Sequence, residues 1–415
     1  MFRRGMFYAY LSIYLRYFLG LSVTETTLFA TLPMLANIIC QATLWGRLSD
    51  RYQLRRTLIV WGEILGGIGT VAVWFVHTLP EDPRRMGYVI IFGLTMVEAF
   101  WSMSNIGWSA LISDLYPART RAALQGRLIS IGGLGRIAGV WIGGLLYDGL
   151  GRYYDGWGFE RGALFFVAAG VMFLSTLPLL RLPEGGITPG DRPEAEEDAI
   201  PREASARWFG IFLLAMAFIN FGRNSVVIIQ SQYLFLDTGF AVSSRQLSYI
   251  VNTESLAMIL AGLAVGRLIR RIGNGNGVLL GAALGMGYLV MYMTTDQLAM
   301  IYVGSFLKGC AESIIMAAAY AFASVLIPPA HRGRRFGYFN ATFFLSWGLA
   351  GTLLAGPLAD LLMNLGHTAE TAYRWSYGSA LLLTLVGVLV LALLLFVLIP
   401  RGSAQGKAHS PSGSA

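Results

Sequence analysis

From Thr57 to Leu79 the chain carries Glu63 as its one charged side chain, and runs of the same kind recur along its length. Each is about 20 residues long, which as a helix matches the ~30 Å hydrocarbon core of a bilayer. Twelve such spans are drawn: Gly5–Leu19, Thr26–Trp45, Thr57–Leu79, Met86–Ile112, Leu124–Tyr147 and Gly162–Leu180, then Trp208–Leu236, Gln246–Val265, Gly277–Thr295, Leu298–Leu326, Phe336–Met363 and Trp375–Ile399. The expected fold class is all-α and integral to a membrane. Only 13% of the 415 residues are charged and 55% are hydrophobic, whereas a soluble domain carries about a quarter charged residues. The net charge of +8 calls for no nucleic acid, because positive charge also orients membrane proteins. Cys40 and Cys310 both lie inside spans and read as small apolar packers.

The basic residues set the orientation. With both termini inside, Arg47, Arg51, Arg55, Arg56, Arg181, Arg267, Arg270, Arg271, Arg332, Arg401 and Lys407 are among those on the cytoplasmic side. The outer loops hold Arg16, Arg84, Arg85, Arg152, Arg161, Arg245 and Arg374. That excess satisfies the positive-inside rule. Arginine far outnumbers lysine, which points to a GC-rich bacterial genome and so to a bacterial cytoplasmic membrane.

Between the second and third spans lies Gly46-Arg47-Leu48-Ser49-Asp50-Arg51-Tyr52-Gln53-Leu54-Arg55-Arg56. A tight glycine turn, one carboxylate and four arginines suit a cytoplasmic hairpin. The stretch resembles the loop signature of the major facilitator superfamily. A partial second copy, Gly266-Arg267-Leu268-Ile269-Arg270-Arg271-Ile272-Gly273, carries Arg270 where the first has Asp50. Other echoes keep nearly the same spacing: Tyr14 with Tyr233, Arg121 with Arg332, Gly126 with Gly337 and Asp148 with Asp360. The resemblance implies two pseudo-symmetric six-helix bundles, 1–181 and 207–400, that alternate access to a site at the membrane midplane. It also implies a cytoplasmic gate built on Gly46, Asp50, Arg51, Arg55 and Arg56, with Gly266, Arg270 and Arg271 as the weaker counterpart.

Six ionisable residues fall near the centres of spans: Glu98 in the fourth, Arg136 in the fifth, Arg223 in the seventh, Glu254 in the eighth, and Lys308 and Glu312 in the tenth. Charge at that depth is costly and normally faces a cavity or a partner. Glu98, Ser102, Asn105 and Ser109 draw one helical stripe; Asn220, Arg223, Asn224 and Ser231 draw another. Lys308 and Glu312 are four residues apart and are expected to pair. Three acids and three bases also fit structural ion pairs holding the halves together, and for Arg136 the two roles weigh equally. Glu254 and Glu312 are the expected proton carriers, since a carboxyl in a cavity of changing dielectric can lose and regain a proton. Arg223 stays charged at any physiological pH and suits an anionic group or a permanent carboxylate partner. Glu63 is expected to brace the Arg55–Arg56 hairpin.

Departures from the family narrow the expectation. Gly135, Gly139, Gly143 and Gly144 resemble the antiporter motif of helix five, but Val140 replaces its proline, and Leu94 lies near where drug exporters carry an arginine. Both count against a drug/proton antiporter. A phosphate-binding loop is lacking, since Gly402–Lys407 has the wrong spacing. His77, His331, His367 and His409 form no metal constellation, and no nucleophile–base pair is seen. No enzyme activity, cofactor or metal is expected. The linker 182–206, rich in Pro, Gly and Glu, reads as a solvated tether, with Glu194–Asp198 as a possible contact for the basic hairpins. The tail 401–415 reads as disordered.

The first span is short, reaching about 22 Å at 1.5 Å per residue. Helix one is therefore expected to begin upstream of Met1, which would set Arg4 opposite Arg223 as half of an anion clamp. The alternative has Arg3 and Arg4 anchoring a short helix at the inner surface. The expected activity is secondary transport of a small organic solute by a proton-coupled monomer. An uncoupled facilitator, a drug or organic-anion exporter, and a non-transporting receptor or assembly partner are the alternatives.

Overall fold

The computed structural model describes the backbone of residues 1–115, 118–185, 204–326 and 332–399. Most of the 182–206 linker and the tail from Arg401 lie outside the described residues. All regular structure among the described residues is helical. In order come α1 (Phe2–Ile13), α2 (Val23–Cys40), α3 (Gly46–Tyr52), α4 (Arg56–His77), α5 (Pro83–Leu115), α6 (Ala118–Tyr147), α7 (Trp157–Glu160) and α8 (Ala163–Leu179). The second half supplies α9 (Ala204–Ser225), α10 (Ile229–Phe235), α11 (Ser244–Ile272), α12 (Asn274–Thr294), α13 (Leu298–Leu326), α14 (Arg332–Ala350), α15 (Gly356–Asn364) and α16 (Ala369–Leu393). π-helical turns extend α1 over Tyr14–Phe18 and α2 over Gln41–Trp45, and join α14 to α15 over Gly351–Ala355. Nine helices among the described residues are long and apolar enough to cross a membrane, and Ile131–Tyr147 and Ala163–Leu179 are shorter apolar helices.

Local chemistry places the starts of these helices. Ser22 and Glu25 form a capping box, Ser22 Oγ accepting the Glu25 N–H at 3.2 Å and Glu25 accepting the Ser22 N–H at 2.8 Å. Gly20, at φ +69°, makes the turn that precedes it. The expected seventh span is interrupted: α9 stops at Ser225 and α10 starts at Ile229. Val226, Val227, Ile228 and Ile229 are β-branched residues in succession, which crowd the preceding helical turn. Ser231 therefore does not continue the stripe of Asn220, Arg223 and Asn224 on one unbroken helix, as the spacing alone implied.

The helices form two compact units. The first comprises Met1–Glu194, Ile228–Ser255 and Gly356–Glu370, so α10, the start of α11 and α15 are built into it from late in the sequence. Here α1 lies on the glycine face of α6. A Cβ on Gly139 would stand 2.2 Å from the Phe2 carbonyl oxygen, and one on Gly5 would stand 2.5 Å from that of Arg136. Small residues bring these backbones into contact in the way expected of membrane helices.

The second unit comprises Ala195–Val227, Leu256–Ala355 and Thr371–Ala415. Its core gathers Phe212 and Ile219 of α9, Ala282 of α12, Ile315 of α13, Phe339 of α14 and Leu391 of α16. Gly222 lets α9 meet α16, since a Cβ there would stand 2.2 Å from Thr384 Oγ1.

Candidate substrate and proton pathway

In the first unit the organising residue is Glu98, buried on α5 at 7% side-chain exposure. Its Oε2 accepts from Arg3 at 2.8 Å, and its Oε1 accepts from Arg4 at 3.1 Å and from Asn37 Nδ2 at 2.9 Å. Both guanidiniums also lie over the Trp101 ring, at 4.9 and 5.1 Å from its centroid. Arg3 and Arg4 thus meet a carboxylate inside the unit, where the sequence had offered a surface anchor or a clamp with Arg223. Glu63 does not brace the hairpin. Its Oε1 accepts from Trp101 Nε1 and Ser104 Oγ, both at 2.8 Å, because helical rotation turns it from the loop towards α5. Asn105 is half-buried on α5, and the side chain of Ser109 lies outside the described residues.

Arg136 of α6 pairs with Glu254 of α11 at 3.2 Å, and Asn252 donates to the Ile137 carbonyl at 3.3 Å. Farther along the same helices, the Ser244 hydroxyl donates to Asp148 at 2.8 Å. Asp360 of α15 accepts the N–H groups of Val23 and Thr24, the first residues of α2, at 2.9 and 2.8 Å. A carboxylate on a helix N-terminus is favoured both by its free N–H donors and by the helix dipole. Gln232 of α10 donates to Thr26 at 2.7 Å. Asp148 and Asp360 had stood out in the sequence only as a repeated pair. Each now proves to hold the start of a helix from the other half of the chain.

The Gly46–Arg56 hairpin is fixed at its basic end. Arg55, 5% exposed, donates to the Ser49 carbonyl at 2.7 Å and to Gln53 Oε1 at 3.2 Å. Glu184 accepts the backbone N–H of Arg55 at 2.9 Å and those of Thr57, N–H and hydroxyl, at 3.0 and 2.9 Å, and meets Arg56 at 3.3 Å. Arg51 lies over the Tyr52 ring at 5.5 Å, and a Cβ on Gly46 would stand 2.7 Å from the Gln41 carbonyl. The side chain of Asp50 lies outside the described residues. In the second copy α11 runs straight to Ile272, Arg270 and Arg271 are exposed, and a Cβ on Gly266 would meet only Arg270, at 3.9 Å.

In the second unit Arg223 of α9 pairs with Glu312 of α13 and donates from Nε to Asn220 Oδ1 at 3.1 Å. Asn220 and Asn224 in turn donate to Thr342 and Ser346 of α14, at 3.2 and 2.9 Å. The guanidinium is 7% exposed and Glu312 is 29% exposed. Lys308 lies on the same helix, one turn before Glu312. Its ammonium lies over the Tyr288 ring at 5.7 Å, and the carboxylate four residues on is taken by the guanidinium of another helix. Among the described residues, no three His, Cys, Asp or Glu side chains converge as a metal site would require.

Long apolar helices carrying arginine–carboxylate pairs in their interiors describe an integral membrane protein with charge held inside its helix packing. The family profile of the Major Facilitator Superfamily matches residues 1–229 and again 208–414, and the chain belongs to that superfamily. The repeated match agrees with the duplicated motifs. The chain is 29% identical over 147 residues to the tetracycline resistance protein, class G, of Vibrio anguillarum; that stretch is 35% of this chain and 33% of that protein. The fold resembles the nucleoside transporter NupG, with a TM-score of 0.72 at 15% identity over 95% of this chain and 96% of that one. It also resembles a bacterial homologue of the human lysosomal transporter Spinster, with a TM-score of 0.68 at 16% identity over 95% and 93%.

Proposed function

We propose that this transporter moves a small organic solute by alternating access of two six-helix halves, 1–181 and 207–400, driven by the proton gradient. In this reading it works as a monomer in a bacterial cytoplasmic membrane with both termini inside. The observation that carries the coupling is the Arg223–Glu312 pair, in which the carboxylate is the more accessible partner. A guanidinium keeps its charge at any physiological pH, so it competes with a proton for the same carboxylate. A proton is taken up when the pair separates and released when it re-forms. Glu254, held by Arg136, offers a second site of the same kind.

The gating part of the proposal rests on the ends of the helices. Asp148 and Asp360 latch the outer ends, while Arg55, Arg56 and Glu184 brace the Asp50 hairpin at the inner side. Alternation requires each set to yield in turn. In proteoliposomes with an imposed pH gradient, Glu312→Gln is expected to abolish gradient-driven uptake while leaving solute exchange intact. If both Glu312→Gln and Glu254→Gln still concentrate solute like the wild type, coupling through these residues is wrong. The identity with the tetracycline resistance protein favours, as a second reading, an exporter of amphipathic compounds. Inside-out vesicles in which acidifying the lumen drives uptake would select it.

A further inference from the structure

Arg3, Arg4 and Glu98 form one wall of an open pocket whose other walls include Phe7, Tyr8, Phe29 and Leu94. The polar wall is unbalanced. Glu98 is already engaged through both oxygens, by two guanidiniums and the Asn37 amide. Each guanidinium carries five N–H donors, and no acceptor can be made from the remainder. Arg4 Nε is buried and meets no acceptor among the described residues. A buried donor without a partner is expensive and marks a place where a group is missing. Glu63, the other nearby acid, is not on the cavity wall and accepts from Trp101 and Ser104.

Two cations against one filled anion leave the wall with an excess positive charge and a shortage of acceptors. The facing wall is apolar and aromatic: the Tyr8 and Phe29 rings lie 5.4 Å apart. We infer that this cavity binds an amphipathic monoanion, a carboxylate or sulfonate on an aromatic or aliphatic body, with its anionic end on Arg3 and Arg4. Planar guanidinium forks match such oxyanions in bidentate geometry. A cation is repelled, and a neutral polar solute leaves the charge excess uncompensated. The assignment names the substrate class for the transport reading above and rests on that reading for its role, though not for its occupancy.

The test separates the two. Binding to the purified full chain is measured by ligand-dependent thermal stabilisation, using 2-naphthoate, its neutral amide and 2-naphthylmethylammonium as probes. Naphthoate is expected to bind at least about tenfold more tightly than either, the size of one charge-assisted hydrogen bond. Arg4→Gln is expected to weaken naphthoate about tenfold, and Glu98→Gln to strengthen it, because it removes the competing anion. Opposite signs in two variants at one contact are not produced by a general loss of folding. Equal binding of the three probes, or an unchanged affinity in Arg4→Gln, overturns the inference. Counterflow of labelled naphthoate in proteoliposomes then tests the transport reading alone: tight binding without counterflow refutes transport of this class and leaves the site standing.

Discussion

Glu98 and Glu312 look alike in the sequence, each a lone carboxylate midway along a long apolar helix, yet their surroundings differ in kind. Glu98 is held by two guanidiniums and an amide and is almost fully buried. Glu312 has one guanidinium and remains partly exposed. A carboxylate with a permanent cation on each oxygen is a fixed countercharge. One that shares a single guanidinium can exchange that partner for a proton. The first arrangement leaves cation to spare and suits a ligand; the second is balanced and suits a switch.

The largest expected effect breaks the balanced pair. Arg223→Ala leaves Glu312 without its guanidinium inside the second unit, and loss of one partner of a buried pair typically costs about 3–5 kcal/mol. Adding Glu312→Ala should restore much of that stability, seen as a recovered melting temperature in detergent. The corresponding cycle between Lys308 and Glu312 should show the smaller coupling, because a guanidinium from another helix already holds that carboxylate. Coupling of the Lys308 cycle above that of the Arg223 cycle would contradict the geometry.

That contrast shows where the sequence was readable. The all-helical membrane character, the superfamily and the glycine face of α6 follow from hydropathy, motif and small-residue spacing, all of which are local patterns. Pairing between helices is not local. Lys308 and Glu312 satisfy the four-residue rule, but a guanidinium projecting from α9 reaches the same carboxylate. For Arg3 and Arg4 the sequence offered a surface anchor or a clamp with Arg223, and only the packing of α1 in the first unit turns them onto α5. The break after Ser225 was written in four successive β-branched residues, a signal that hydropathy hides because those residues are also among the most apolar.

The contacts of Asp148 and Asp360 sharpen the comparison at lower energy. Asp360 accepts two backbone N–H groups at the start of α2, whereas Asp148 accepts one hydroxyl at the start of α11, besides the Gly151 N–H of its own turn. Asp360→Asn should therefore weaken its hold on the start of α2 by about 1–2 kcal/mol, through the lost charge at a helix N-terminus. Asp148→Asn should cost about 1 kcal/mol or less, the value of a single hydrogen bond. Accessibility of a cysteine placed at Thr26 to a membrane-impermeant maleimide reads both. A larger gain in labelling from the Asp148 variant would reverse the ranking.

The smallest effect belongs to Glu184, which the sequence presented only as part of a tether. Burial alone would raise its pKa, but the N–H groups of Thr57 and Arg55, the Thr57 hydroxyl and the Arg56 charge prevail and hold it below the usual carboxylate value of 4.5. A folded-state pKa lowered in this way means that the stabilisation is fully present above the unfolded value and fades as pH falls through the folded one. At pH 7 Glu184→Gln should thus loosen the start of α4 by about 1 kcal/mol, the worth of a carboxylate at a helix N-terminus. Amide exchange at Arg56 and Thr57, corrected for intrinsic rates, should be about fivefold faster in the variant at pH 7. The gap should close as pH falls through the folded-state pKa, where the wild-type carboxyl itself becomes protonated. A gap independent of pH would assign the contact to shape and not to charge.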